Sequence, residues 1–199
     1  MTEKTIPRLR DSTLQAAALR AIGRPYLFHN PDMRVLAIDA SLRNTGVAIV
    51  DANGGKPAAL YYGTITNAAS LPSSSCLVAI RDRLIELIRQ HAPDCCALES
   101  VIYVQSHKTA ILLGAARGAA ILAAAENGLP VFEYPPKRIK QATVGRGSAD
   151  KNQVAFMVRA LLGLTETPNA DAADALAIAL THFRAQEAAK LGLPAAARI

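Results

Sequence analysis

The stretch that decides the fold is RVLAIDASLRNTGVAIVD, residues 34–51. Residues 35–38 form a short apolar run that predicts a buried strand, and an acid, Asp39, follows it directly. After a turn-like segment, residues 45–50 form a second apolar run, and the turn signal at 51–55 leads into a third strand over 60–65. These three strands are predicted to form an antiparallel meander.

Helices and strands alternate after the meander. Apolar residues repeat at helical spacing over 73–90, and an alanine-rich helix is predicted over 106–126. Short apolar strands are predicted at 95–98 and 131–134, and the first of them ends in Glu99. Two further helices are predicted, over 151–162 and 170–186. The whole pattern predicts an α/β domain with a five-stranded mixed sheet flanked by helices.

The chain has 199 residues, enough for one domain with short appendages. We place the domain at 34–186, an N-terminal appendage with a short helix at 1–33, and a C-terminal tail at 187–199. A hydrophobic content of 51% excludes wholesale disorder. No secretory segment or membrane span is expected from the sequence, which predicts a cytoplasmic protein. The three cysteines fit buried free thiols better than a disulfide framework or a zinc site: Cys76, Cys95 and Cys96.

The net charge of +6 is concentrated in one part of the chain. The segment from residue 134 to 159 contains one acid, Asp150, and six basic residues: Lys137, Arg138, Lys140, Arg146, Lys151 and Arg159. Such a patch indicates a polyanionic partner, nucleic acid first. The alternative is a solvated helix face, and charge by itself leaves both open.

Four acids lie in apolar surroundings. Asp39 and Glu99 each end a predicted buried strand, whereas Asp171 and Asp174 lie three residues apart on one face of the last helix. If the first and fourth strands are parallel neighbours, the four carboxylates converge and require one or two divalent cations to offset their repulsion. Ligands that are all oxygen favour Mg²⁺ or Mn²⁺ over zinc. Each acid also has a separate explanation, as a helix-terminus charge or a turn residue.

At these residues the sequence resembles the RuvC-type Holliday junction resolvases of the RNase H-like superfamily. The resemblance extends over residues 34–184 and rests on several motifs in order, namely 37–39 with 45–46, 114–118, 129–134, 144–151 and 169–179. It implies a homodimer that cuts two strands of a four-way DNA junction symmetrically, in recombination and repair. A branch-migration motor is implied as a further partner.

The resemblance also implies which residues carry the chemistry. The family's catalytic and metal-binding acids fall on Asp39, Glu99, Asp171 and Asp174. They would use two Mg²⁺ ions, for which Mn²⁺ can substitute, to hydrolyse a phosphodiester bond. The family's basic DNA-contacting positions match Lys140 and Lys151, inside the basic patch, where Arg146 and Lys137 are further DNA-binding candidates.

Three departures from the family pattern stand out. Residues 39–43 lack the usual Pro-Gly after the first aspartate, and the appendage over 1–33 lies outside the pattern. After Glu99, the expected junction-stacking aromatic is absent, so Tyr103 or Ile102 would have to act as the wedge, unless both belong to the core. Two rivals remain: a nuclease of the same fold that cuts forks or flaps, and a non-catalytic junction-binding module. An actin-like kinase would need two such domains and is excluded by length.

Overall fold

A computed structural model describes residues 33–52, 56–101, 106–194 and 196–199. Its elements, in chain order, are β1 (Arg34–Asp39), β2 (Asn44–Asp51), β3 (Ala58–Thr66), α1 (Ser73–His91), β4 (Cys95–Glu99), α2 (His107–Glu126), β5 (Val131–Tyr134), α3 (Pro136–Val144), α4 (Lys151–Leu162), α5 (Ala170–Lys190) and β6 (Ala197–Arg198). The predicted N-terminal appendage lies outside the described residues except for Met33, as do Ile102 and Tyr103.

The strands form a single mixed sheet in the order β3-β2-β1-β4-β5-β6. Strands β1 to β3 are the predicted antiparallel meander, while β4 runs parallel to β1 and β5 parallel to β4. The predicted mixed α/β fold is confirmed, but among the described residues the sheet has six strands and not five. The sixth strand, β6, pairs antiparallel with β5 over two residues only. So short a segment has no alternation of apolar and polar residues that could reveal it.

Both faces of the sheet are covered by helices. In β1, Val35 and Ala37 face a cluster formed with α3, α4 and α5, whereas Leu36 and Ile38 face a second cluster formed with α1 and α2. A strand that is buried on both faces has no polar face, which is why β1 reads as a continuous apolar run. The result is three layers, helices on either side of the sheet.

Helix α5 is the central helix of the first layer. Almost every residue from 172 to 183 is buried, because the sheet covers one side of the helix while α3 and α4 cover the other. The helix begins at an Asn169 cap, whose side-chain oxygen accepts a hydrogen bond of 2.9 Å from the Ala172 amide. It ends at Lys190, beyond the predicted end at 186. The domain limits of 34–186 and 187–199 stay predictions.

The basic segment after β5 contains a helix, α3, that was not predicted. Its first residue is Pro136, a position where the missing proline N–H leaves no hydrogen bond unmade. Ile139 and Thr143 are buried on the inner side of the helix, whereas Lys137 and Gln141 are exposed on its outer side. The double proline at 135–136 therefore starts a helix instead of extending a loop.

Helix α2 is long and apolar enough, by length and composition alone, to cross a membrane. In the structure its buried alanines, such as Ala116 and Ala120, pack in the cluster formed with α1. Its Arg117 pairs with Glu133 of β5. These contacts hold one face of α2 against the rest of the domain, while Ile111 and Leu122 are exposed. The cysteines Cys76, Cys95 and Cys96 are buried free thiols, as predicted.

Candidate active site

Two of the predicted catalytic acids lie at one edge of the sheet. Asp39 is the last residue of β1 and Glu99 the last residue of β4. The two strands are parallel neighbours, and Ile38 pairs with Leu98 in the register. The carboxyl ends of both strands therefore meet, so Asp39 and Glu99 lie side by side, as the sequence predicted.

The first turns of α5 bring the other two acids to the same edge. Asp171 and Asp174 are both half-buried, and both raise the pKa of Asp39 by repulsion. Asp174 acts in the same way on Glu99. The structure thus brings all four predicted carboxylates into one electrostatic cluster, which we call the carboxylate cluster: Asp39, Glu99, Asp171 and Asp174.

Burial and repulsion raise the pKa of the two strand-end acids. Burial is the larger cause for Asp39, followed by repulsion from Asp174, and together they raise its pKa to about 6. The pKa of Glu99 is raised to about 7, again mainly by burial and then by repulsion from Asp39. A carboxyl group with such a pKa ionises near neutral pH only at a cost in free energy. Perturbed acids in a cleft are typical of functional sites.

The carboxylate cluster suits a hard divalent cation in its donor chemistry. Every candidate ligand is a carboxylate oxygen, the donor that Mg²⁺ and Mn²⁺ prefer. Within the described ranges, no three His, Cys, Asp or Glu residues have the spacing that encloses one metal ion. Lys151 Nζ lies 3.2 Å from Asp174 Oδ2 and offsets part of the negative charge. The remaining repulsion is what a divalent cation would relieve, so the cluster suits such a cation by its charge and its donor atoms.

The predicted DNA-binding residues fall into two groups. Lys140 and Lys151 lie close enough to Glu99 to lower its pKa, and Lys151 also contacts Asp174 directly. Lys137 and Arg146 are exposed on the same basic segment, but neither is among the groups that perturb the cluster. Tyr103 lies outside the described residues. The roles of all these residues stay predictions.

A cleft of about 360 Å³ opens beside the strand-end acids. Asp39 and Glu99 line it together with Arg117 of α2 and Pro136 of α3. Arg117 lies in the motif at 114–118, but its sequence context predicted no role for it. The Arg117 guanidinium pairs with Glu133, and burial lowers its pKa. The only signal that could have singled it out is an arginine on an otherwise apolar, alanine-rich helix.

The loop after Asp39 is held by its own side chains. The Thr45 hydroxyl donates to the Ser41 carbonyl at 2.5 Å, and the Asn67 side chain donates to the Leu42 carbonyl at 2.9 Å. Arg43 donates to the carbonyl oxygens of two residues after β3, Ala68 and Leu71. Although this loop lacks the Pro-Gly of the family pattern, these hydrogen bonds order it next to the first acid.

Known proteins share this arrangement of fold and sequence. The family model described as crossover junction endodeoxyribonuclease RuvC matches residues 35–182. The crossover junction endodeoxyribonuclease RuvC of Akkermansia muciniphila is 56% identical over 151 residues, which are 76% of this chain and 90% of that protein. Its counterpart in Bordetella avium is 47% identical over 150 residues, covering 75% of this chain and 83% of that protein.

Solved structures agree with these relatives. A Thermus thermophilus RuvC, solved in complex with a Holliday junction substrate, matches with a TM-score of 0.76 and 35% identity, over 84% of this chain and 99% of that chain. A yeast mitochondrial Holliday junction resolvase shares the fold, with a TM-score of 0.59 and 16% identity over 90% of this chain and 95% of that chain. The resemblance seen in the sequence, and the nuclease class that it implies, are confirmed. The chain therefore belongs to the RuvC family of crossover junction endodeoxyribonucleases, which are metal-dependent nucleases.

Proposed function

We propose that this family member resolves four-way DNA junctions by symmetric paired nicks, with the carboxylate cluster as its catalytic centre. The observation that carries the proposal is the convergence of Asp39 and Glu99 with the first turns of α5 at one sheet edge, where burial and then repulsion raise the pKa of both strand-end acids. Neutralising partners of opposite charge, Lys140 and Lys151, lie beside them. A phosphate backbone needs both features, cations for binding and carboxylates for chemistry.

Asp39, Glu99, Asp171 and Asp174 would hold two Mg²⁺ ions, and Mn²⁺ would substitute for them. Bound divalent ions lower the pKa of an attacking water and stabilise the leaving 3′-oxygen, which leaves 5′-phosphate ends. The protein's own part is to hold its carboxylates ionised and close together. Lys151 favours the ionised state, because its ammonium group forms an ion pair with Asp174 and lowers the pKa of Asp39. The same ammonium group can offset charge at the scissile phosphate.

The basic residues near the cluster would bind the DNA backbone. Lys140 and Lys151 lie beside the acids, and Lys137 and Arg146 extend the positive surface along the same segment. Contacts of this kind neutralise phosphates and release counterions, so binding should weaken with salt. Tyr103 or Ile102, which follow the cleft-lining Val101 in the sequence, is proposed as the apolar wedge at the junction centre.

Symmetric cutting requires two active sites, and we propose a homodimer that joins through α2. Ile111 is 71% exposed and Leu122 is 49% exposed on one face of this helix. On that face, a Cβ added to Gly114 or Gly118 would meet no atom within 4 Å in the described part of the chain. An open apolar face with small residues allows a second copy of the helix to approach closely. The branch-migration motor and the cytoplasmic location stay predictions.

The deciding experiment is cleavage of a synthetic four-way junction, compared with linear duplex and a three-way fork, in Mg²⁺ and in EDTA. We expect paired, metal-dependent nicks in the four-way substrate alone. Asp171→Asn should abolish cleavage and keep junction binding, because it removes one metal ligand without adding bulk. Asp82→Asn, on the exposed side of α1, is the matched control and should cut normally.

The outcomes separate the rival functions. Equal cutting of forks would replace the resolvase proposal with a broader branched-DNA nuclease. Tight junction binding without cutting in Mg²⁺ or Mn²⁺ would mean a binding module. Normal cleavage by Asp171→Asn would remove Asp171 from the proposed ligands.

A further inference from the structure

The first turn of α5 rests on a row of three residues that cross the sheet. Asp39 of β1 pairs in register with Gly46 of β2, and Gly46 pairs with Thr64 of β3. Asp39 belongs to the carboxylate cluster, whereas Gly46 and Thr64 have no chemical role in the function proposed above. Both of them nevertheless adjoin the start of the helix that carries Asp171 and Asp174.

Gly46 lies directly beneath the backbone of Asp171. A Cβ added to Gly46 would lie 2.6 Å from the Asp171 carbonyl carbon and 3.3 Å from its Cα, and closer still to the carbonyl oxygen. These are backbone atoms of a helix, so they cannot rotate away as the end of a long side chain can. Any side chain at position 46 would therefore lift the start of α5 off the sheet and carry Asp171 away from Asp39.

Thr64 holds the helix start from the next strand. Its hydroxyl donates a hydrogen bond of 3.2 Å to Asn169 Oδ1. The same oxygen accepts the Ala172 amide at 2.9 Å and so caps α5. The Asn169 side chain thus connects Thr64 of β3 to the first turn of α5. This connection holds the start of the helix in place over the three paired residues.

From these contacts we propose that Gly46 and Thr64 are positioning residues that set the distance between the Asp39 carboxylate and the two aspartates of α5, and thereby the affinity for divalent cations. The inference rests on the proposed function, in which these acids hold the metal ions. Four carboxylates repel one another, so a helix start that is free to move would relax outward. Ligand sites need their groups held to within about 0.5 Å, which only packed and hydrogen-bonded support provides.

The primary test uses Thr64, because its substitution leaves the backbone packing intact. Thr64→Val removes the hydrogen bond and keeps the shape, Thr64→Ser restores the hydroxyl, and Thr66→Val is the matched control. Thr66 lies two residues along the same strand, and its hydroxyl makes no hydrogen bond with any described residue. Gly46→Ala and its control Gly63→Ala form a second pair, since a Cβ at Gly63 would meet only the Tyr61 side chain, at 3.3 Å.

We measure Mn²⁺ binding to the full-length protein without DNA by electron paramagnetic resonance, which detects the free ion. Junction binding in EDTA and thermal unfolding of the metal-free protein are measured in parallel. We expect Thr64→Val to weaken Mn²⁺ binding about threefold to tenfold, the effect of one lost hydrogen bond, with recovery in Thr64→Ser. Gly46→Ala should weaken it further, while junction binding in EDTA and both control variants stay at the wild-type level.

Asp171→Asn is included to separate the two proposals. If Asp171→Asn weakens Mn²⁺ binding and Thr64→Val does not, the metal site stands and the positioning role is refuted. If Asp171→Asn leaves Mn²⁺ binding unchanged, the proposed metal site itself fails. A fall in the unfolding temperature of Thr64→Val with unchanged Mn²⁺ affinity would show a purely structural role and would also refute the inference. Should Gly46→Ala fail to fold, the Thr64 series decides.

Discussion

Replacing Asp39 with asparagine should stabilise the metal-free protein while abolishing cleavage. Asp39 ends β1 in a half-buried position, and burial, followed by repulsion from Asp174, raises its pKa from 3.8 to about 6. At neutral pH the folded protein must therefore ionise this carboxyl group against a cost that the unfolded chain does not bear. Asparagine has nearly the same shape and no charge, so it removes the cost together with the metal ligand.

The magnitude follows from the two pKa values. A difference of one pH unit is worth about 1.36 kcal/mol. The difference between 3.8 and about 6 therefore corresponds to about 3 kcal/mol at full ionisation. Because Asn differs from a protonated carboxyl group in its hydrogen bonding, we expect a gain of about 1 to 3 kcal/mol, or about 2 to 10 °C in melting temperature for a chain of this size.

The pH dependence of this gain has a definite sign. A raised carboxyl pKa contributes stability that is fully present below the unfolded value of 3.8 and is lost as the pH rises through about 6. The advantage of Asp39→Asn should therefore be small near pH 4 and complete above about pH 6. Saturating Mg²⁺ should reverse the order, since it stabilises the wild type more than the variant.

Thermal and urea unfolding in EDTA, at about pH 4 and about pH 7.5, measure the gain at both ends of this range. Asp82→Asn is the control, because this exposed residue takes part only in a surface ion pair with Arg81, and its substitution should change stability by less than about 0.5 kcal/mol. The reasoning is refuted if the variant is no more stable than the wild type at the higher pH, or if it is stabilised equally at both pH values. Either result would mean that burial and repulsion do not make the Asp39 carboxyl group costly to ionise.

Lys140→Ala should weaken junction binding and reduce the slope of log affinity against log salt by about one, because Lys140 lies close enough to Glu99 to lower its pKa. An unchanged slope would place its ammonium group away from phosphates. Tyr134→Phe removes a hydroxyl 2.7 Å from His182 Nδ1 and should lower the free energy of unfolding in urea by about 1 to 3 kcal/mol. Burial lowers the pKa of His182 from 6.5 to about 4, so the stability advantage of the wild type over His182→Gln should shrink as the pH falls through this range. An advantage that is constant with pH would contradict a buried neutral imidazole.

Much of the fold could be predicted because its central elements have clear local patterns. β1 and β4 are apolar runs that end in Asp39 and Glu99, and a parallel pairing of the two strands was enough to bring these acids together. The last helix was predicted to begin at 170, which is the first residue of α5, and the structure adds the Asn169 cap. Each of these signals lies within a few consecutive residues.

The parts that escaped prediction depend on distant partners or on ambiguous residues. β6 exists only because Ala197 and Arg198 meet the edge of β5. α3 begins at Pro136. Proline is an ambiguous signal, because it occurs at the first position of helices and also interrupts them. Arg117 of α2 forms an ion pair with Glu133 of β5. Because Glu133 lies outside the helix, the sequence pattern of the helix gives no sign of this pairing.

By itself, the sequence determined the elements and the chemistry that they carry. Apolar runs of four residues, at 35–38 and 95–98, predict buried strands, and the acids at their ends predict a cation site before any coordinates exist. How closely the two aspartates of α5 approach Asp39 became clear only in the tertiary structure. That distance depends on Gly46 beneath the Asp171 backbone and on Thr64 against the Asn169 cap, contacts between residues more than 100 positions apart. Local propensity acts over a few neighbouring residues, so separations of this kind are set by packing alone.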